Sequence, residues 1–251
     1  MRPPLNRKIP TVGEVAAAYR PKFANELRTE WAIALLYRPV SFVVTPLFAA
    51  CAVSPSAVTL LSLACALLLP GFALTGGASA WICVGALGIA FVVLDCVDGD
   101  LARVTGRASR PGAYADFLTD LVYRVALYAA IGILVDRAGP LAFGTAVAAP
   151  GANAGLIAGL ACALLAIVAR ACRLYLGASD RDTGKAPERT ATRASTGDVA
   201  IAFLSGLDHL LPLGVLGFGA LGRLDGLLAY LFAYSLGDFL LTQHTAWTRL
   251  R

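Results

Sequence analysis

The sequence predicts an all-α integral membrane protein, a six-transmembrane-helix bundle with an N-terminal interfacial segment. Three observations carry this. First, 58% of the 251 residues are hydrophobic and 15% are charged, well below the charge of a soluble domain. Second, the apolar residues come in long blocks, each near the length that crosses about 30 Å of hydrocarbon. No period-two alternation runs over barrel-strand lengths, which argues against an outer-membrane barrel. Third, the net charge of +5 is concentrated at Arg2 to Arg28, Arg103 to Arg110, Arg181 to Arg193, and Arg249 with Arg251. Basic clusters between apolar blocks mark the cytoplasmic side. No soluble basic face of the kind that binds nucleic acid is visible.

The elements follow in order. Residues 1–54 form the expected cytoplasmic or interfacial N-terminal segment, and residues 55–251 the six-helix catalytic domain. TVGEVAAAYR and the residues after Pro21 suit a short interfacial helix. No cleavable signal peptide is apparent, because no apolar core follows the basic start. Residues 31–53 are long enough to span, but Arg38, Pro39 and Pro46 interrupt them. They are expected to bend along the cytoplasmic face. Spans are expected near 56–75, 79–102, 113–135, 153–176, 198–220 and 224–246. Residues 139–151, apolar but rich in Gly and Pro, read as a loop or re-entrant piece on the far side. With the N-terminus inside, this layout puts all four basic clusters on one face. Counting 31–53 as a seventh span would put Arg2 to Arg28 outside.

The six cysteines contain no C-x2-C pair and read as small apolar packing residues. With only His209 and His244 present, a histidine-based triad or metal site has little material.

The chemistry lies in the acidic residues. Asp95 and Asp98 fall near the cytoplasmic end of the second expected span, Asp116 and Asp120 near the start of the third. Spacings of three and four residues put each pair on one helix face. The short connection from Val104 to Pro111 makes the two helices antiparallel neighbours, so the four carboxylates are expected to converge. Carboxylates at a bilayer edge are costly without a positive partner. An all-oxygen cluster favours a hard cation, Mg²⁺ or Mn²⁺, as one ion or two. Such ions commonly bridge a diphosphate. Gly99 leaves room beside the backbone, Ala102 keeps the same face shallow, Arg103 offers a guanidinium to phosphate, and Gly112 opens the third span. Asp100 is expected to be solvated. Asp208, His209 and Asp238 are expected to make polar contacts between helices. Arg124 sits one turn after Asp120. Arg170 and Arg173 close the fourth span. Each is a candidate for an anionic acceptor or for a structural ion pair. The stretch GASDRDTGKAPERTATRAST either covers the site or only sets topology.

The pattern D-x2-D-G-x2-A-R-x8-G-x3-D-x3-D, read off Asp95, Asp98, Gly99, Ala102, Arg103, Gly112, Asp116 and Asp120, resembles the signature of the CDP-alcohol phosphotransferase family. The segment Ser54 to Ser62 resembles the family's S/T-P-N-x2-T element, with Pro55 and Thr59 retained and Ser56 where Asn is usual. The resemblance implies a membrane enzyme of phospholipid synthesis, moving a phosphoryl-alcohol unit from a CDP-alcohol to a second alcohol with release of CMP. It implies Asp95, Asp98, Asp116 and Asp120 as metal ligands, with Asp120 also the general base. Gly99, Ala102, Arg103, Gly112 and Thr59 would line the donor site, and a homodimer is implied. CDP-diacylglycerol with a small polar acceptor is the expected pair. The alternative, suggested by LYRPVSF, is a CDP-choline or CDP-ethanolamine donor with a diacylglycerol acceptor. A cation transporter is the reading from another class. It requires carboxylates at mid-membrane depth, whereas these sit at one edge beside Arg103. The expected location is a bacterial inner membrane, with the site open to the cytoplasm.

Overall fold

The computed structural model describes residues 9–138, 153–182, 203–204 and 206–250. Every regular element among them is a helix. Helix α1 spans Val12–Thr29. A π-helical turn at Ile33–Tyr37 leads into α2, Arg38–Ala50. Helices α3 (Pro55–Thr75), α4 (Ala80–Val104), α5 (Arg110–Ala138), α6 (Ala154–Asp182), α7 (Leu211–Ala220) and α8 (Leu224–Leu250) follow. The expected loop at 139–151, residues 183–196 of the basic stretch at 177–196 and the first residues of the expected span at 198–220 lie outside the described residues.

Local chemistry fixes the ends. Thr11 caps α1 in a capping box, accepting from the Glu14 N–H at 3.2 Å while Glu14 accepts from the Thr11 N–H at 2.8 Å. Ser54 caps α3, with Pro55 at its first position. Gly106, at φ +65°, ends α4. There the Arg107 N–H donates to Ala102 O and the Gly106 N–H to Arg103 O, a Schellman closure. The tight turn therefore sits at Gly106. Gly112 lies within the first turn of α5, its N–H donating to Ser109 Oγ. Asp136, near the end of α5, accepts from the N–H groups of Gly155 and Leu156 and so caps α6.

Among the described residues, six helical segments are long and apolar enough to cross a membrane, by length and composition: Ile33–Ala50, Pro55–Thr75, Gly77–Val104, Arg110–Ala138, Ala154–Ala178 and Leu224–Arg249. The number agrees with expectation. One of the six lies within 31–53, the segment expected to bend along the cytoplasmic face, and the described part of the span expected at 198–220 is not among them. The latter breaks at His209–Leu210, leaving the ten-residue α7. Pro212 has no N–H to offer Asp208 O, and its ring crowds that carbonyl. Residues 33–50 form an inside-out helix. Leu36, Val40, Val43 and Leu47 are exposed along one stripe, while Arg38, Ser41 and Thr45 are buried on the other side. The Arg38 charge is turned inward, so it does not count against contact with lipid. The π turn just before Pro39 falls where the proline ring would oppose regular α-helical bonding.

Helix α3 packs along both α4 and α5, α5 along α6, and α6 along α8. Small residues set the closest approaches. A Cβ on Gly132 of α5 would strike the backbone of Gly155 and Leu156 on α6, and one on Gly159 would strike Tyr128. Gly155-x3-Gly159 is thus a close-packing face of the kind apolar helices use to bring backbones together. Gly85 and Gly88 of α4 similarly admit Pro212 and Leu216 of α7.

Replacing Gly132 with Val should destabilise the α5–α6 contact by about 1–3 kcal/mol. The expected readout is a clear fall in the unfolding midpoint of detergent-solubilised protein. Gly71→Ala, where a Cβ meets nothing within 4 Å, should leave that midpoint nearly unchanged.

Candidate active site

The second turn from the C-terminal end of α4 and the second turn of α5 bring acidic side chains together. The carboxyls of Asp95 and Asp116 lie within hydrogen-bonding reach of each other. Asp98 and Asp120 are near enough to act electrostatically on this pair. The helices themselves are not the closely packed neighbours the sequence suggests. Helix α4 packs mainly on α3 and α5 on α3 and α6, while α4 and α5 touch only sparingly. One such touch is a stack of Phe91 on Tyr123, with ring centroids 3.7 Å apart, and the Tyr123 hydroxyl donates to Gly88 O at 3.3 Å. Phe91 is one turn below Asp95, and Tyr123 one turn below Asp120. The rings make an apolar floor under the carboxylates.

Each aspartate has different company. Asp98 is buried, and the Thr59 hydroxyl of α3 donates to its Oδ2 at 2.6 Å. Thr59 therefore orients a carboxylate. Asp120 Oδ2 is held by Arg170 of α6 and approached by Arg124 Nε at 3.5 Å. Arg124 also pairs with Asp208, which accepts from the Tyr128 hydroxyl at 2.6 Å. The expected interhelical role of Asp208 is thus met. Arg173 leaves the acidic group and turns to α8, donating to Asp238 Oδ1 and Thr242 Oγ1, both at 2.8 Å. Among the described residues, no three His, Cys, Asp or Glu side chains are gathered as a ready-made ligand set. Among those same residues, Asp95, Asp98 and Asp116 have no guanidinium within ion-pair distance, whereas Asp100, Asp120, Asp208 and Asp238 each do.

Asp100 corrects the sequence reading. It is 1% exposed, and its carboxylate meets Arg103 Nη2 at 2.5 Å, Ser41 Oγ at 2.7 Å and Arg38 Nη1 at 3.3 Å. A buried charge survives only with such partners. The Arg103 guanidinium lies over Gly99, where a Cβ would sit 3.3 Å from both Nη atoms. The glycine thus makes room for its own arginine one turn on. Arg103 Nε is buried without a hydrogen-bond partner, so the protein leaves one of its donors unused. Ala102 is half-buried beside it.

Sequence reasoning missed Glu26, Arg38, Ser41 and Glu30. An arginine inside an apolar stretch is itself a sign of function; Arg38 counted only as a helix breaker. Glu30, between α1 and the π turn, is pushed above the usual carboxylate value by burial and then by the Asp120 charge, against the pull of Arg124 and Arg170.

The model of the CDP-alcohol phosphatidyltransferase family matches residues 52–219, more than half of the chain. A comparison with the curated proteins finds no match.

The raised Glu30 means that the folded state keeps this proton to higher pH than the unfolded chain. The cost is absent below the ordinary value of 4.5 and grows as pH rises towards the folded value. The wild type should therefore lose stability relative to Glu30→Gln between pH 4.5 and neutrality. Melting midpoints of both proteins across that range test this, and parallel curves would contradict it.

Proposed function

Since the chain belongs to the CDP-alcohol phosphatidyltransferase family, a family of transferases acting in phospholipid synthesis, we propose that it is an integral-membrane enzyme using CDP-diacylglycerol and a small polar alcohol. The observation that carries the site assignment is the set of three aspartates, Asp95, Asp98 and Asp116, left among the described residues without a guanidinium in a bundle where Asp100, Asp120, Asp208 and Asp238 each have one. Two of them are held against each other, an arrangement of like charges that a divalent cation offsets. Family members generally depend on a divalent metal, and the all-oxygen donor set fits Mg²⁺ or Mn²⁺. Asp95, Asp98, Asp116 and Asp120 would hold one ion or two, and the charge supplied there would neutralise the donor diphosphate and the departing CMP.

The residues divide the remaining work. Thr59 fixes Asp98. Arg103, beside the shallow surface of Gly99 and Ala102 and with part of its side chain exposed, receives the donor phosphates. Gly112 keeps the opening turn of α5 low on the same side. The acceptor oxygen attacks the phosphorus that carries the donor alcohol, the bond from that phosphorus to CMP breaks, and Asp120 takes the hydroxyl proton. Arg124 and Arg170 bracket Asp120, so the acceptor approaches through a polar setting rather than an apolar slot. That favours a small polar acceptor over diacylglycerol. Arg173, held on Asp238, braces α6 behind them. The Arg103 to Arg110 connection supports a site facing the cytoplasm.

Incubation of purified protein with CDP-diacylglycerol or CDP-choline, and with several acceptors, followed by lipid mass spectrometry and CMP measurement, tests this reading. Product from CDP-diacylglycerol and a polar alcohol is expected; turnover confined to CDP-choline and diacylglycerol would reverse the substrate assignment. Chelation should abolish CMP release, and added Mg²⁺ or Mn²⁺ should restore it. Asp120→Asn should lower turnover by roughly 10²–10⁴-fold with the fold intact. Thr59→Val should raise the metal concentration needed for half-maximal rate by about 10-fold or more, the scale of lost support behind a metal ligand.

A further inference from the structure

The family match begins at residue 52, yet residues before it reach into the signature. Tyr19 and Glu26 lie on one face of α1, two turns apart. Arg38, at the start of α2, is gripped by Glu26 through two bonds, Nε to Oε2 at 2.9 Å and Nη2 to Oε1 at 2.6 Å. Its remaining Nη1 donates to Cys96 O at 3.1 Å and reaches Asp100 Oδ1 at 3.3 Å. Asp100 then holds Arg103 at 2.5 Å, while Ser41 secures its other oxygen. The Tyr19 ring closes the array, with the Arg38 guanidinium carbon 4.5 Å and that of Arg103 5.6 Å from its centroid. The Asp100 side chain is fully buried, and Arg38 and Glu26 nearly so.

We propose that Glu26, Arg38 and Asp100, with the ring of Tyr19, are positioning residues that aim Arg103 at the donor's diphosphate. The N-terminal helices are then a working part of the donor site. The proposal rests on the reading above that Arg103 binds those phosphates.

Three features of the geometry point this way. Asp100 takes Arg103 by one nitrogen and leaves Nε buried and unclaimed, so the ion pair does not use the guanidinium in full. Asp100 is shared between two arginines, so Arg38 offsets part of its charge and Arg103 remains free to bind an anion. A long side chain loses rotamer freedom on binding a ligand, and a partner that fixes it beforehand removes that loss. Lys22 lies on α1 between Tyr19 and Glu26. Partial burial and the guanidiniums of Arg103 and Arg38 lower its pKa, so positive charge is dense on this side before any phosphate arrives.

The test is a kinetic cycle on full-length protein in nanodiscs, with CDP-diacylglycerol varied at saturating acceptor. Arg103→Ala alone should raise the donor KM, and if it does not, the reading of Arg103 fails and the proposal falls with it. Glu26→Gln and Asp100→Asn should each raise the donor KM by about 10-fold, the equivalent of ~1.4 kcal/mol, with kcat within about 2-fold. In the Arg103→Ala background the same substitutions should add nothing, because they act through that side chain. If Arg103→Ala raises KM while the Glu26 and Asp100 variants, folded by melting midpoint, keep the wild-type KM, the relay is refuted and the Arg103 assignment stands. Effects that add in full in the double variants would also refute it. Should Asp100→Asn not fold, Glu26→Gln with its double variant carries the test alone.

Discussion

Charge neutralisation inside an apolar bundle is the constraint on which this structure depends. An ionised carboxylate there must find a cation or hydrogen-bond donors, and the helices are arranged so that most do. Asp120 takes Arg170 and shares Arg124 with Asp208, Asp238 takes Arg173, and Asp100 sits between Arg38 and Arg103. These pairs join α5 to α6, α6 to α8, and α2 to α4. Among the described residues, the same contacts leave Asp95, Asp98 and Asp116 without a guanidinium within ion-pair distance.

That division explains how support and chemistry coexist over a few turns. The stacked rings of Phe91 and Tyr123 close the bundle below the acidic cluster, while α4 and α5 otherwise touch only sparingly. Helix α3, which packs on both, holds the spacing and contributes Thr59 at the level of Asp98.

The helical class, the number of long apolar helices and the meeting of Asp95 with Asp116 were legible in the sequence, because periodicity and spacing report which residues share a helix face. Which neighbour a face meets is another matter. Arg38 looked like a flaw in a spanning helix because its partner, Glu26, belongs to a different helix and its second partner, Asp100, lies 62 positions away. Asp100 looked solvated because it interrupts the signature's spacing, although its side chain has no exposed surface. The break at His209–Leu210 was written in Pro212, but hydropathy alone ran through it. The close contact of Gly132 with Gly155 and Gly159 was visible as small residues in apolar stretches. Nothing in one sequence pairs them.

That glycine contact has a bearing on how defects in such an enzyme are interpreted. It sets the axial register of α5 against α6, and Asp120 and Arg170 ride on those two helices, 12 residues before Gly132 and 11 after Gly159. At 1.5 Å per residue that is roughly 17 Å away. A bulky residue at the glycines would slide the Asp120 carboxylate and the Arg170 guanidinium past one another without touching either, and a lesion in the apolar middle of the bundle would present itself to the enzymologist as a broken ion pair at its far end.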